Sequence, residues 1–278
     1  MIEYNPMRSW IFTDVAKEEY RHKLLYWHML HVADSIAQFA PYVSKYSFYQ
    51  ALPVPPEGER FGTVKFHLCE HYWNVNPFVS EMQNTTYCEY MPVECLKWQG
   101  TVPDDDAIDS SQNLSGNEGR STGGEHGTRP FVFAFLPLCW EKDIKGKQRT
   151  MMDGPNYRWH LVLKYPDNVS PEEGDQWLYE EVIPAFEKEK EVTRILSSKI
   201  KQDINGCGFS RAVEMWFDGP EEWYRVCVEK MAALKKPVWA QQEKFPFLKP
   251  HFNISSIFTP DIPYSDNLTQ YRGIIPMR

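Results

Sequence analysis

The same order of predicted elements occurs twice along the 278-residue chain, and this duplication limits the possible folds more than any other feature. Each half reads strand, helix, strand, strand, helix, strand, with period-two alternation in the strands and longer apolar periods in the helices. In the first half the predicted segments are 7–15, 17–39, 43–52, 63–73, 76–91 and 130–138. In the second half they are 157–165, 170–191, 192–202, 209–218, 219–234 and 249–259.

Single residues support the duplication. The spacing Trp27-x3-His31 in the first long helix corresponds to Trp177-x3-Glu181 in the second half. A βαββαβ order is typical of the ferredoxin-like arrangement, an antiparallel sheet with two helices on one face. Two such sheets can pack edge to edge into one closed barrel, which removes exposed strand edges. We therefore predict the α+β class, with two tandem ferredoxin-like halves forming one barrel.

Two polar stretches set the predicted domain boundaries. Residues 100–129 are rich in Gly, Ser, Asp and Asn, so they cannot bury enough apolar surface to offset their ordering entropy. We expect a mobile insertion there. The first half then covers 1–141, a polar linker covers 142–156, and the second half with a C-terminal tail covers 157–278.

Composition and charge exclude several classes of protein. The net charge of −8 argues against a nucleic-acid binder, and it provides no basic surface for anionic membranes. No run approaches the roughly 20 apolar residues of a transmembrane helix, and the N-terminus has no secretory pattern. The six cysteines form no CxxC pair, which is typical of reduced thiols. We expect a cytoplasmic protein without nucleic-acid or membrane partners.

Three features together resemble a known family. They are the Trp27-x3-His31 helix, the aromatic-rich strand at 43–52, and the strand "VEMWFD" (213–218) followed by a Glu-Glu-Trp helix. This combination resembles EthD-type domains of the dimeric α+β barrel superfamily. The chain looks like a tandem fusion of the usual homodimer, and a further homodimer of the whole chain is possible.

What the resemblance implies is a fold with many chemistries. Members are similar to cofactor-free monooxygenases, polyketide cyclases, muconolactone isomerases, aldoxime dehydratases and haem-dependent enzymes. The pocket usually lies between the concave face of the sheet and the helices or loops. If the helix histidine is functional, only the first half retains it, because Glu181 replaces it in the second.

His31 is therefore the first candidate catalytic residue, as a general acid or base facing a pocket. The alternative is a core-edge histidine satisfied by a hydrogen bond, with His28 in solvent. A metal site at His28 and His31 would need further ligands that the surrounding sequence does not offer. Trp27, one turn earlier, could stack on a flat aromatic substrate.

The strand at 63–73 alternates between two kinds of side chain. Val64, Phe66 and Leu68 are predicted to contact the helices. The other face, predicted to line the barrel lumen, carries Lys65, His67, Cys69 and His71. We expect His67 and His71 to be catalytic and Cys69 to contact substrate. A solvated outer face is the alternative.

Lumen positions are also predicted in the second half. His160 lies in the strand at 157–165, and His251, Asn253 and Ser255 share one face of the strand at 249–259. His160, His251 and Asn253 would orient an oxygenated substrate or stabilise an enolate or phenolate. The alternative is polar filler.

These predictions favour an enzyme acting on a small molecule. No Walker A, GxGxxG, GxSxG or HExxH motif occurs. The leading hypothesis is an acid–base lyase, cyclase, dehydratase or decarboxylase for an aromatic or polyketide-like carbonyl compound, with no metal or nucleotide cofactor. A haem enzyme is the first alternative, with an axial ligand from His67, His71, His160 or His251. A non-catalytic binding or stress-response protein with a filled barrel is the second.

Overall fold

The structure is a computed structural model, and it describes residues 8–15, 17–29, 43–73, 133–146, 155–201, 208–263 and 265–266. All statements below refer to these residues. Three of the predictions lie outside them: the candidate His31, the helix at 76–91 and the insertion at 100–129.

Nine antiparallel strands form a single sheet in the described part of the chain. They are β1 (Arg8–Thr13), β2 (Val43–Gln50), β3 (His67–Trp73), β4 (Phe133–Lys145), β5 (Tyr157–Leu163), β6 (Arg194–Ile200), β7 (Arg211–Phe217), β8 (Ile254–Thr259) and β9 (Ser265–Asp266). Their order across the sheet is β8-β5-β7-β6-β4-β1-β3-β2-β9.

This order contains the same arrangement twice. The first half contributes β4-β1-β3-β2 and the second contributes β8-β5-β7-β6, and the two groups join where β4 pairs with β6. Equivalent positions can therefore be read from the pairing. Trp10 lies opposite Glu70 between β1 and β3, and His160 lies opposite Glu214 between β5 and β7.

The far edge of the sheet returns to the first half. The Val64 amide donates to the Ser256 carbonyl at 2.8 Å, and the Ser256 amide donates to the Gly62 carbonyl at 3.1 Å. The Leu52 amide donates to the Phe258 carbonyl at 2.8 Å. These bonds bring β8 against the segments that flank β2 and β3. The sheet is nearly closed, which confirms the prediction of a mixed α+β fold with a barrel-like sheet.

Gly62 makes this closure possible. Its φ is +62°, and a Cβ at this position would lie 2.3 Å from the Ile254 carbonyl oxygen. Only a residue without a side chain lets the two backbones approach so closely.

Three helices lie outside the sheet among the described residues. Helix α1 covers residues 21–29. Helix α2 combines Pro171–Gln176, a π-helical stretch Trp177–Val182, and Ile183–Glu187. Helix α3 combines Pro220–Tyr224, a π-helical stretch Arg225–Glu229 and a 3₁₀ turn Lys230–Ala233. No helix of the described chain has the length and apolar character to cross a bilayer.

The predicted start of α2 is confirmed. Ser170 is the N-cap, its side-chain oxygen accepts a hydrogen bond from the Glu173 amide at 3.1 Å, and Pro171 occupies the first turn.

Two apolar cores lie on opposite faces of the sheet. The outer core packs α2 and α3 against the second half, with Trp159, Phe186, Trp223 and Phe258 among its members. The inner core fills the barrel interior with side chains from both halves. Its buried members are Trp10, Phe12, Tyr49, Val64, Leu68, Leu136, Leu138, Val162, Ile200, Phe209, Ala212 and Ile257.

Three predicted strand boundaries change. β3 begins at His67 because Thr63 instead bridges to Ser256 and helps to close the barrel. β4 continues to Lys145 through irregular pairing with β6, so residues 142–145 of the predicted linker are strand. β8 begins at Ile254 because residues 251–253 form a turn in the described structure.

Four buried charged side chains cross the interior where the two halves meet. Arg8 Nη1 donates to Glu70 Oε1 at 3.0 Å and to Glu214 Oε2 at 2.8 Å. Arg158 donates from Nε and Nη2 to Glu214 Oε1, at 3.0 and 2.8 Å. All four side chains are 7% exposed or less. We call these four residues the ion cluster.

Neighbouring groups complete the ion cluster. The indole N–H of Trp10 donates to Glu70 at 3.3 Å, and that of Trp216 donates to Glu214 at 2.7 Å. Burial alone would raise the pKa of Glu214, but the cationic Arg158 and Arg8 beside it lower that pKa well below its usual value. Both carboxylates are therefore held as anions.

We expect Arg8→Met to lower the free energy of unfolding by about 3–5 kcal/mol, because it leaves two buried carboxylates short of one cation. Urea unfolding followed by circular dichroism measures this change. Lys236→Met is the control, since Lys236 pairs with Glu243 on the surface and such pairs contribute at most about 1 kcal/mol. Equal midpoints for the two variants would contradict the role of the cluster.

Candidate functional site

Helix α1 covers a group of histidine and aromatic side chains on the first half of the sheet. The ring of His28 in α1 lies 5.2 Å from that of His67 and 5.1 Å from that of Phe48. Alternation along β3 places Cys69 and His71 on the same face as His67. Together with Tyr46 from β2, the side chains of His28, Phe48, His67, Cys69 and His71 form what we call the histidine layer.

The predicted orientation of β3 is wrong. Leu68 and Val64 belong to the inner core and Glu70 to the ion cluster, so it is this set that faces the barrel interior. His67, Cys69 and His71 face the helix side instead. The strand alternates as predicted, but both of its faces are buried, so polarity does not indicate which face points inward.

Cys69 and His71 form a close polar contact within the layer. The distance from Cys69 Sγ to His71 Nε2 is 3.2 Å, and the Tyr46 ring lies 4.1 Å from the His71 ring. Burial raises the pKa of the Cys69 thiol well above its usual value, although a hydrogen bond with Tyr46 opposes the shift. The thiol is therefore neutral near pH 7. It serves as a hydrogen-bonding partner of His71 more readily than as a nucleophile.

His67 is held as a neutral imidazole. Burial lowers its pKa to about 3, and the positive charge of Arg21 acts in the same direction. A neutral imidazole can accept a proton, but its remaining N–H is a very weak acid. His67 is therefore in the proton-accepting form near pH 7, but a pKa this low makes it a weak base.

The structure brings four of the predicted site residues together. His67, Cys69 and His71 are neighbours on β3. Trp27 on α1 adjoins them through His28, and the ring centroids of Trp27 and His28 are 5.0 Å apart. His28 itself is 5% exposed, so the expectation that it lies in solvent is wrong. Its spacing of four residues from the buried Leu24 is the sequence signal that could have identified it.

His160 belongs to the barrel interior, on the opposite side of the sheet from the histidine layer. Its Nε2 lies 3.0 Å from Thr259 Oγ1, and its ring meets Trp10 edge-on at 4.9 Å. Burial lowers the pKa of His160 to about 3 despite the nearby charge of Glu214. It faces the interior as predicted, but that interior is filled with side chains.

The predicted positions of His251 and Asn253 in a strand are wrong. Both lie in the turn before β8, where His251 has a φ of +63°. The Asn253 side chain donates to the Lys164 carbonyl at 3.3 Å and accepts from Gln241 Nε2 at 3.0 Å. These bonds brace the turn.

Strand pairing shows how the equivalent faces of the two halves differ. Ser9 lies opposite His71 in the first half, and Trp159 lies opposite Met215 at the matching place in the second. Likewise Ile11 and Cys69 correspond to Leu161 and Val213. The second half thus has apolar side chains where the first has serine, histidine and cysteine.

One small cavity lies on the helix side of the second half. Its volume is about 20 Å³. This is far below the roughly 150 Å³ that accommodates benzene in an engineered apolar cavity. Its lining is entirely apolar: Trp159, Leu161, Leu163, Trp177, Leu178, Val182, Phe186, Val213, Met215, Phe245, Pro246, Leu248 and Ile254. This cavity therefore has no acid–base group in its lining.

Among the described residues, no group of three or more His, Cys, Asp or Glu side chains is arranged so that it could hold a metal ion.

Comparison with known families gives a match to part of the chain. The family model described as chalcone isomerase N-terminal domain matches residues 4–104, which include β1, β2, β3 and the histidine layer. No curated protein matches the chain. The description of this family differs from the EthD resemblance, which stays a prediction.

Several solved structures resemble the chain. An anthrone oxidase-like protein is 11% identical over 94% of this chain and 91% of its own, with a TM-score of 0.48. A candidate monooxygenase from Lactobacillus acidophilus is 8% identical over 93% and 95%, with a TM-score of 0.35. Another from Fusobacterium nucleatum is 11% identical over 78% and 77%, with a TM-score of 0.31.

We expect the free energy of unfolding to rise with pH between about 3 and 6.5. His67 and His160 have folded pKa values of about 3, whereas an unfolded histidine titrates near 6.5, so the unfolded chain binds more protons in this window. Stability is therefore lost as the pH falls below about 6.5. Urea midpoints at a series of pH values test this, and His160→Gln should flatten the slope. An unchanged slope in that variant would rule out His160 as a contributor.

Proposed function

We propose that the protein is an enzyme that transfers a proton within an aromatic carbonyl compound, at the histidine layer. The proposal rests on where the histidine layer lies in the sequence. The layer lies in the segment that resembles the chalcone isomerase N-terminal domain, and chalcones are aromatic enones. The fold alone would not suffice, because one fold supports many chemistries.

The environments of the side chains suggest their roles. His67, neutral and buried, would remove a proton from the substrate as a general base. His71, held by Cys69, would return a proton or stabilise the developing oxyanion, and Tyr46 lies beside it as a further hydroxyl donor. His31 remains a candidate acid or base, and Trp27 a stacking surface for a flat ring.

An isomerase leaves the atomic composition of its substrate unchanged, so it needs no oxidant or reductant. We therefore propose that the protein acts without a nucleotide cofactor. The cyclase variant of our prediction agrees best with this chemistry, because ring closure can proceed by proton transfer alone. Lyase, dehydratase and decarboxylase activities remain alternative proposals for the same site. A homodimer of the whole chain is also a proposal.

For the fold, we interpret the two groups of four strands as tandem ferredoxin-like units. The strand orders β4-β1-β3-β2 and β8-β5-β7-β6 support this interpretation.

A non-catalytic binding protein is a second candidate, and the packed interior favours it. Trp10, Phe12 and Leu68 fill the barrel together with the ion cluster. That arrangement is expected of a barrel that serves as scaffold. Binding of an aromatic ketone without turnover would support this candidate over the enzyme.

We expect the purified protein to isomerise 2′-hydroxychalcone, and His67→Gln to lower kcat/KM by about 100-fold or more, the usual contribution of a general base. The decay of the chalcone absorption band measures both. His22→Gln is the control, because His22 is exposed on the same helix as His28 but lies outside the layer. Equal activity in the two variants would contradict the role of His67, and absence of turnover in the unaltered protein would contradict the substrate class.

The haem alternative has its own test. His67, His71, His160 and His251 were the candidate axial ligands, and a Soret band in the purified protein, or on addition of haemin, would support it. Turnover of chalcone by a colourless protein would instead support the proposal without a cofactor.

A further inference from the structure

Glu70 lies between Cys69 and His71 on β3, and its side chain enters the interior while theirs form the histidine layer. We infer that Arg158 and Glu214, which belong to the second half, are positioning residues for the histidine layer in the first half. Their effect on activity rests on the proposed function, whereas their effect on the geometry of the layer does not.

Within the ion cluster, one nitrogen atom of Arg8 contacts a carboxylate of each half. Arg8 Nη1 donates to Glu70 at 3.0 Å and to Glu214 at 2.8 Å. Glu214 is in turn held by two donors from Arg158. Arg158 Nη2 also lies 3.8 Å from Glu70 Oε1, so the second half approaches β3 directly as well.

A shift of β3 by one residue shows why this matters. Because side chains alternate, such a shift would exchange the two faces and bring His71 into the interior. It would also carry the Glu70 carboxylate out of reach of Arg8 and Arg158, and a buried charge without a partner is very unfavourable. The ion cluster therefore determines which residues of β3 form the histidine layer.

The second half is involved because charges of each half also contact those of the other: Arg8 donates to Glu214, and Arg158 lies 3.8 Å from Glu70. Arg8 and Arg158 carry two positive charges, and Glu70 and Glu214 carry two negative charges. Without the Glu214 charge, both guanidiniums compete for Glu70, and Arg8 keeps only Glu70 and the partly exposed Glu141 as anionic partners. The expected consequence is loosening of β3 near Glu70, without loss of the outer core of the second half.

The thiols provide a test that does not depend on any substrate. Cys69 is buried in the layer, and Cys227 is buried in α3 of the second half, so each reports on its own half. In Glu214→Gln we expect a neutral alkylating reagent to label Cys69 at least about tenfold faster than in the unaltered protein, with Cys227 unchanged. Peptide mass spectrometry measures the two rates separately.

Global destabilisation would give a different pattern. If the variant merely unfolds more often, both thiols are labelled faster together, and that outcome overturns the inference, as does an unchanged rate at Cys69. Trp216→Phe is the milder second variant, because it removes only the 2.7 Å indole donor to Glu214. If Glu214→Gln does not fold, Trp216→Phe is judged by the same pattern. Arg194→Lys is the matched control, since Arg194 stacks on Trp216 but pairs with the exposed Asp143.

Activity forms the second arm. We expect Glu214→Gln to lower kcat for 2′-hydroxychalcone about tenfold with KM within twofold, and Glu214→Asp, which keeps the charge, to recover part of the loss. Failure of the unaltered protein to turn over chalcone would defeat the proposed function only, because the labelling pattern still decides the inference. Selective exposure of Cys69 with unchanged kcat would show that the layer moves but is not the site of catalysis.

Discussion

The pairing of two arginines with two glutamates inside the barrel is the interaction on which the rest of the structure depends. Each of these charges loses its hydration on folding, a cost that only close and well-directed partners can offset. The partners come from β1, β3, β5 and β7, and Glu214 is 206 residues from Arg8 along the chain. The cluster therefore forms only when both halves are in place and these four strands have their correct register.

In this molecule, the register of a strand determines which of its two faces points into the barrel. Both faces of the sheet are covered, one by the inner core and the other by helices, at least over the described residues. A strand whose two faces were exchanged would bury its charged side chain among aromatic rings. It would also place apolar side chains beside the charges of the ion cluster. The charged residues thus provide specificity that apolar burial, being non-directional, does not.

Two halves with the same strand order have different chemistry on their helix sides. Trp159 and Met215 fill the space in the second half, where the first has Ser9 and His71. Beneath α1, imidazole, thiol and phenol groups of His67, Cys69 and Tyr46 are thereby brought together. The second half contributes packing and the two charged residues Arg158 and Glu214. This difference between the halves is seen when equivalent positions of the paired strands are compared.

The sequence by itself determined much of the local structure. Alternation identified β1, β5 and β7 closely, and Ser170 with Pro171 marked the start of α2. These signals depend on neighbours along the chain, so they can be read without the fold. The same local reasoning selected His67, Cys69 and His71 as a group, and the structure places them on one face of β3.

Only the tertiary structure decided which way that face points. Alternation has two solutions, and the choice depends on the long-range contact of Glu70 with Arg8 and Arg158, which no local pattern contains. For the same reason Asn253 could not be assigned correctly, because its turn is shaped by Lys164 and Gln241 from distant segments. Side-chain periodicity is a local property, whereas the inside of a barrel is defined only when the strands have closed it.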